Sequence, residues 1–331
     1  MTALRPSTGA AHSRILGYGG YRPSRVVPNS ELVEAIDSSD EWIRTRTGIT
    51  ERRWATPEET VQLMATSAAR DALADAGIDP RQIDCVIVAT VSHMLQTPSL
   101  AAAVAHELGA EQPAAFDISA ACAGFCHGIA LASDLVRGGS ARHVLVIGVE
   151  RLSELTDQTD RGTAFIFADG AGAAVVGPSD EPGIGPVVWG SDGERSDLIT
   201  QREGWPEALA TGSFPHLTMQ GNPVFRWASF AMAKSALEAL DRAGLSVDDL
   251  DCFVPHQANL RIIDAMAKAM KLPDHVRIAR DITDMGNTSA ASIPLALERM
   301  RREGDARSGD TALLIAFGAG LTWAAQVVVL P

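Results

Sequence analysis

The sequence predicts an α/β protein built from two duplicated halves, and three observations predict it. First, Ala72-Leu-Ala-Asp-Ala-Gly-Ile-Asp-Pro-Arg-Gln-Ile-Asp-Cys-Val86 reads closely with Ala239-Leu-Asp-Arg-Ala-Gly-Leu-Ser-Val-Asp-Asp-Leu-Asp-Cys-Phe253. Self-similarity of this kind is one structural plan used twice. Second, Asp117-Ile118-Ser119 precedes Ile129-x-Leu131-Ala132 by twelve residues, and Asp281-Ile282-Thr283 precedes Ile293-x-Leu295-Ala296 by the same twelve. Third, His143-Val-Leu-Val-Ile-Gly148 and Thr311-Ala-Leu-Leu-Ile-Ala316 are unbroken apolar runs. Such strands are covered on both faces, as in sheets layered between helices.

Taken in order, each element has a local reason. The helices ending at Gly77 and Gly244 stop where glycine follows the last turn, and each leads through a turn into a strand. Ala114-Ala-Phe-Asp-Ile-Ser119 reads as a strand, followed by a turn at Cys122 and a helix over Gly124–Val136. The glycines of Leu16-Gly-Tyr-Gly-Gly20 and Asp169-Gly-Ala-Gly-Ala-Ala-Val-Val-Gly177 read as structural. Neither segment combines strand, GxGxxG, helix and a later acid, as a dinucleotide loop would. Pro178-Ser-Asp-Glu-Pro-Gly-Ile-Gly-Pro186 reads as the connection, giving halves of 1–180 and 181–331. In the second half Asp251–Pro255 is a strand and Asn259–Met270 a helix. The Cys122 and Asn287 loops then hold equivalent places, and pseudo-two-fold packing of the halves would bring them together.

Composition narrows the function. A chain of 331 residues, 46% apolar and 21% charged, has the makeup of a globular protein with a sizeable core. Acids outnumber bases 41 to 28, a net charge of −13, which disfavours general nucleic-acid binding. Two segments run against that average: Arg44, Arg46, Arg52 and Arg53, and the stretch Gln257–Arg280 with five bases against two acids. On charge alone these read as solvated faces. No run approaches the length of a membrane span. The four cysteines form no CxxC pair and Met1–Arg14 has no apolar targeting core, so a reducing, cytoplasmic setting is expected.

Three residues stand out chemically. Cys122 lies at a strand-to-helix turn among small neighbours, where the helix dipole is expected to lower its pKa and favour the nucleophilic thiolate. Read blandly, it is a small core cysteine, as Cys126 is expected to be. His256, in Pro255-His-Gln-Ala-Asn259, sits at a strand end before a helix, where a neutral imidazole donates to an oxyanion or shuttles a proton. Asn287, in Gly286-Asn-Thr-Ser289, is either a helix cap or an amide donor that never changes charge. A metal site from Cys122, Cys126, His127, Cys252 and His256 is disfavoured, because zinc-knuckle spacing is missing. Phe317-Gly-Ala-Gly320 is a tight turn after a buried strand, placed to turn backbone N–H groups towards Cys122.

Six segments in order carry a resemblance: Ser39-Asp-Glu-Trp-Ile43 with Thr45-Arg-Thr-Gly-Ile49; Ala121-Cys-Ala-Gly-Phe125; Asp160-Arg-Gly-Thr163 with Phe167-Ala-Asp-Gly-Ala-Gly172; Pro255–Asn259; Gly286–Ser289; and Phe317–Trp323. Together they resemble the β-ketoacyl-acyl carrier protein synthase III family, from about Ile15 to Leu330. The resemblance implies a five-layered thiolase-like fold and a decarboxylative Claisen condensation of acyl-CoA with malonyl-acyl carrier protein, which initiates fatty-acid or polyketide synthesis. It implies Cys122, His256 and Asn287 as the catalytic set, and an oxyanion hole from the N–H groups of Cys122 and Ala319. It implies that Trp42 and Arg161 sandwich the CoA adenine, Arg46 serves the phosphates, Asn259 meets pantetheine and Phe317 shapes the site around the departing carboxylate. Arg226, Arg261 and Lys268 would dock the acidic carrier protein. Thr97, where several short-chain members carry Phe, would close the acyl pocket from the partner subunit of a homodimer and admit branched or longer primers. No cofactor is implied beyond the two substrates.

Two rivals stand beside this reading. One is a thiolase-fold acyltransferase that moves an acyl group without condensation; His256 and Asn287 would then lack a purpose. The other is a non-catalytic partner of another synthase, which would be expected to lack Cys122.

Overall fold

The computed structural model describes residues 4–5 and 7–331. The reading of Met1–Arg14 as free of a targeting signal falls partly on residues 1–3 and 6, outside the described residues. Among the described residues no helix is long and apolar enough to cross a membrane.

Two five-stranded sheets form the frame. The first contains β1 (His12–Tyr21), β4 (Cys85–Ala89), β5 (Ala114–Ile118), β6 (Val144–Arg151) and β7 (Asp169–Ser179), in the order β1-β7-β6-β4-β5. A hairpin of β2 (Arg25–Pro28) and β3 (Glu51–Trp54) lies outside it. The second sheet contains β8 (Val188–Ser191), β11 (Cys252–Pro255), β12 (Arg277–Ile278), β13 (Thr311–Gly318) and β14 (Thr322–Val329), in the order β8-β14-β13-β11-β12. β9 (Ile199–Gln201) and β10 (Leu217–Met219) make a second hairpin. The two main sheets match strand for strand: two antiparallel pairings, then two parallel ones.

The helices are α1 (Asp40–Thr47), α2 (Val61–Ala76), α3 (Leu100–Leu108), α4 (Gly124–Gly138), α5 (Trp205–Thr211), α6 (Gly221–Arg242), α7 (Leu260–Met270), α8 (Ile282–Met285) and α9 (Ser292–Glu303). They complete five layers. α2 and α3 bury Met64, Leu73 and Val104 on the outer face of the first sheet. α4 and α9 lie between the sheets, with Phe125, Ile129, Ile293 and Leu297 packed on both. α6 and α7 cover the second sheet through Trp227, Met232 and Met266. Local caps agree with this plan. The Thr60 hydroxyl caps α2 at its start, and Gly77 ends that helix at φ 65°. Both carboxylate oxygens of Asp117 take N–H groups at the start of α3.

Two short 3-10 turns decide where the chemistry falls. Ala121–Ala123 precedes α4, and Ser289–Ala291 precedes α9. Each begins on a residue with positive φ, 44° at Ala121 and 49° at Ser289, so the duplication extends to backbone detail. The two turns pack against each other. The second also presses on β6, where a Cβ on Gly148 would lie 2.2 Å from the Ala290 carbonyl oxygen. Only glycine permits that approach.

Candidate active site

A cavity of about 370 Å³ runs from exposed Arg46 and Arg161 inward to Cys122, His256, Asn287 and Phe317. Each inner residue arrives from a different element. Cys122 sits in the turn between β5 and α4. His256 follows β11. Asn287 lies between α8 and the turn before α9, and Phe317 is near the end of β13.

Cys122 lines the cavity and is tightly hemmed in. A Cβ on Gly318 would stand 2.8 Å from Cys122 Cβ and 3.1 Å from its Sγ. Burial pushes the Cys122 thiol up to about 12; Glu150 pushes the same way, and the nearby Ser289 hydroxyl opposes both. This corrects the expectation of a thiolate made by the helix dipole. Cys122 is only partly buried on the cavity wall, yet the loss of solvent around the sulfur works against the helix dipole, and the net direction is upward. The resting group is a thiol.

His256 is 2% exposed, and burial holds its pKa down at about 3, so the ring is neutral at physiological pH. Its Nδ1 lies 2.7 Å from Ser292 Oγ, which also accepts the Gln257 N–H at 3.3 Å. Among the described residues Nδ1 is the one acceptor within reach of the Ser292 hydroxyl proton, so that proton is assigned to Nδ1. The imidazole proton then resides on Nε2, an assignment by hydrogen-bond logic. Gln257 fixes the surroundings: its amide donates to Pro255 O and accepts the Ile282 N–H. The Phe317 ring stands edge-on to His256 at 5.5 Å.

Asn287 is not a helix cap. Its Oδ1 accepts the Ser289 N–H at 2.8 Å, closing a local turn, and α9 starts later at Ser292. Spending the oxygen this way leaves the amide NH2 as the group available to the cavity. The site therefore combines one thiol with two uncharged N–H donors. Such donors stabilise a developing oxyanion without first neutralising a thiolate.

At the exposed end, the Arg161 guanidinium lies 5.2 Å from the Trp42 ring and Arg46 lies 5.8 Å from it, both within cation–π range. Asn259 caps α7, and its amide also donates to Arg46 O at 3.1 Å, tying α1 to α7. Arg226, Arg261 and Lys268 are exposed beside this opening or on α7, and Arg261 covers Phe225 at 5.2 Å. Thr97 is exposed and stands outside the cavity wall, as does Ala319; Gly318 forms the wall beside Cys122.

Sequence reasoning missed several contributors. Arg52, grouped with surface bases, is fully buried and donates to Val27 O, Asn29 Oδ1 and Phe165 O. It holds the loop that forms one cavity wall. Gly318, Ser289, Ser292 and Glu150 were also unmarked. Ser289 and Gly318 lay inside recognised motifs without being singled out; Ser292 and Glu150 act across the fold, where linear spacing carries no signal.

The comparisons with known proteins agree with this fold. The family description 3-oxoacyl-[acyl-carrier-protein] synthase III matches residues 116–193, and its C-terminal counterpart matches residues 240–330. The chain is 60% identical to β-ketoacyl-[acyl-carrier-protein] synthase III 1 of Streptomyces coelicolor and 58% identical to the corresponding synthase of Streptomyces glaucescens, covering 100% of both chains in each case. Among solved structures it is similar to the priming β-ketosynthase of the R1128 polyketide pathway, with TM-score 0.97 and 51% identity over 100% of this chain and 99% of that one. The Aquifex aeolicus 3-oxoacyl-[acyl-carrier-protein] synthase III follows with TM-score 0.89 and 40% identity, over 96% and 99%. With full-length identity at this level and the same two-sheet architecture, the chain belongs to the 3-oxoacyl-acyl carrier protein synthase III family.

Proposed function

We propose that the chain joins an acyl-CoA primer to malonyl-acyl carrier protein, releasing CO2 and CoA and giving 3-oxoacyl-carrier protein. The observation that carries this reading is the convergence of the Cys122 thiol with the uncharged donors of His256 and Asn287 in one cavity.

In the first half-reaction the Cys122 sulfur attacks the primer thioester, CoA leaves as its thiol, and an acyl-cysteine remains. The N–H groups of Cys122 and Ala319 are the proposed donors to the tetrahedral oxyanion. In the second, the malonyl carboxylate departs as CO2. His256 Nε2–H and Asn287 Nδ2–H hold the thioester oxygen of the resulting enolate, which attacks the acyl-cysteine and expels the sulfur. Decarboxylation makes the carbanion without a strong base, which suits a site whose imidazole stays neutral. The reaction as written needs no bound cofactor.

Phe317 is assigned to the region of the departing carboxylate, Asn259 to pantetheine, Arg46 to phosphate oxygens, and Trp42 with Arg161 to the adenine. Arg226, Arg261 and Lys268 are assigned to the acidic carrier protein; among the described residues Arg226 and Lys268 have no ion-pair partner. A homodimer across β5 is part of the reading. β5 is the sheet edge, and exposed Phe116, Met94 and Leu95 lie on or near it. Thr97 of the partner subunit would then close the acyl pocket and admit branched or longer primers.

The test is intact mass after incubation with a panel of acyl-CoAs, followed by malonyl-acyl carrier protein. One acyl group should add at Cys122 and leave as the 3-oxoacyl product with CO2. Acylation without CO2 release would place the chain with acyltransferases that do not condense. A strong preference for acetyl-CoA would remove the role given to Thr97.

A further inference from the structure

Glu150, one residue before the end of β6, is fully buried, and no step of the proposed reaction uses it. Its two oxygens are engaged unequally. Oε2 accepts from Ser92 Oγ at 2.6 Å, the Val91 N–H at 3.1 Å and Thr90 Oγ1 at 3.3 Å. Oε1 meets the Ser289 hydroxyl at 3.1 Å. The turn that Ser289 opens packs against the turn that carries Cys122, and Ser289 acts on the thiol from there, opposing its rise in pKa. One serine thus stands between a buried carboxyl and the nucleophile, while its N–H holds Asn287.

A hydroxyl carries a single proton and donates it to one partner at a time. If Glu150 is protonated, the proton belongs on Oε1, because Oε2 already accepts three donors. Oε1–H then donates to Ser289, and the Ser289 hydroxyl turns to the sulfur. If Glu150 is ionised, Oε1 takes the Ser289 proton, and a negative charge faces the thiol.

We propose that Glu150 is a positioning residue that sets the acidity of Cys122 through Ser289: the neutral carboxyl releases the serine hydroxyl to the thiolate, and the carboxylate withdraws it. Both forms are accessible near neutrality, since burial pushes Glu150 up to about 7 while the Ser92, Val91, Ser289 and Thr90 donors oppose it. Neighbouring charged groups are otherwise committed. Arg151, next in the chain, pairs with Glu154 at 3.3 Å. Asp169 on β7, opposite Arg151, accepts from Ser153 and the Ala55 N–H. His256 is neutral and bound to Ser292. Segment 90–92 brings no titratable side chain, and Cys85 lies at the far end of β4.

The experiment is the rate of iodoacetamide alkylation at Cys122 against pH, read by intact mass with Cys122→Ala as the control for other thiols. It rests on Cys122 being the proposed nucleophile, but it reads thiol acidity whether or not condensation is the chemistry. For the wild type, log rate should rise with pH, flatten above about 7 as Glu150 ionises, then rise again, as coupled groups do. Glu150→Gln keeps the shape: its carbonyl replaces Oε2 and its NH2 donates to Ser289 like the protonated acid. Its profile should be a single straight rise, about tenfold faster than wild type near pH 8.5 for a one-unit change in thiol pKa. A wild type without the flat region, or Glu150→Gln with the same flat region, overturns the proposal. Ser289→Ala is the second variant, with slower alkylation throughout and a shrunken flat region expected. An unchanged Ser289→Ala profile also overturns the proposal.

Discussion

The turn Ala121–Ala123 and the turn Ser289–Ala291 hold matching places in two sheets of the same order and direction, and both start at positive φ. They carry different chemistry. In the first half the middle residue is Cys122, the thiol; in the second it is Ala290, whose carbonyl presses on Gly148. Where the first turn has Ala121, the second has Ser289, whose hydroxyl bonds Glu150 beside the thiol. Where α4 begins with Gly124, α9 begins with Ser292, which orients His256. The duplication supplied a common backbone; three differences within it give one half a thiol and the other its polar support. A site at the seam of two copies needs no loop of its own design, because each copy brings a helix start to the same place.

If labour is divided this way, damage to each half should be separable. Cys122→Ala should abolish the acyl adduct and lower the kcat/KM of condensation by about 10⁴-fold or more; an adduct persisting in that variant would place the nucleophile elsewhere. Asn287→Ala acts on the other half alone. Acylation from acyl-CoA should stay near the wild-type rate while CO2 release falls by about 10²–10³-fold, the usual loss for one oxyanion donor. Equal losses in both steps would show that the halves do not divide the work. Ser292→Ala removes the partner of His256 Nδ1 and should lower kcat of condensation by about tenfold, the worth of one hydrogen bond of about 1.4 kcal/mol, with little change in the primer's KM. Charge reversal at Arg226 or Lys268 should raise KM for malonyl-acyl carrier protein by about threefold, with the difference shrinking in high salt and acylation untouched.

A separate effect falls on stability rather than on rate. The unfolded chain protonates His256 below its ordinary pKa of 6.5, whereas the folded chain resists protonation down to about 3. In that window the unfolded state binds more protons, so this stabilisation is present above pH 6.5 and lost as pH falls towards 3. Glu150 works oppositely: raised from 4.5 to about 7, it stabilises the fold at low pH and ceases to do so as pH rises through 7. Urea midpoints of His256→Asn should therefore fall less steeply from pH 6.5 to 4 than those of the wild type, and an identical slope would refute the neutral buried ring.

Much of the fold was legible because it was written twice. The apolar runs at 143–148 and 311–316 became the long central strands β6 and β13, and the glycines at 77 and 244 follow their helices as expected. The catalytic candidates were legible too, since Cys122, His256 and Asn287 sit in short motifs at element ends. Arg52 was misread because a surface charge run and a buried arginine look alike until its hydrogen-bond partners, which come from residues 27, 29 and 165, are folded around it.

What the sequence by itself determined was the duplicated α/β plan, the family, and the side chains able to react. What only the tertiary structure decided was their state. The dipole argument favoured a thiolate, but the walls closing on Cys122 hold it as a thiol, because removing solvent costs a charge more than a helix start returns. The proton on His256, the direction of the Asn287 amide and the place of Glu150 behind Ser289 are likewise set by partners distant in the chain. Hydrogen bonding and desolvation depend on what surrounds an atom, and residues far apart in sequence supply those surroundings only once the chain has folded.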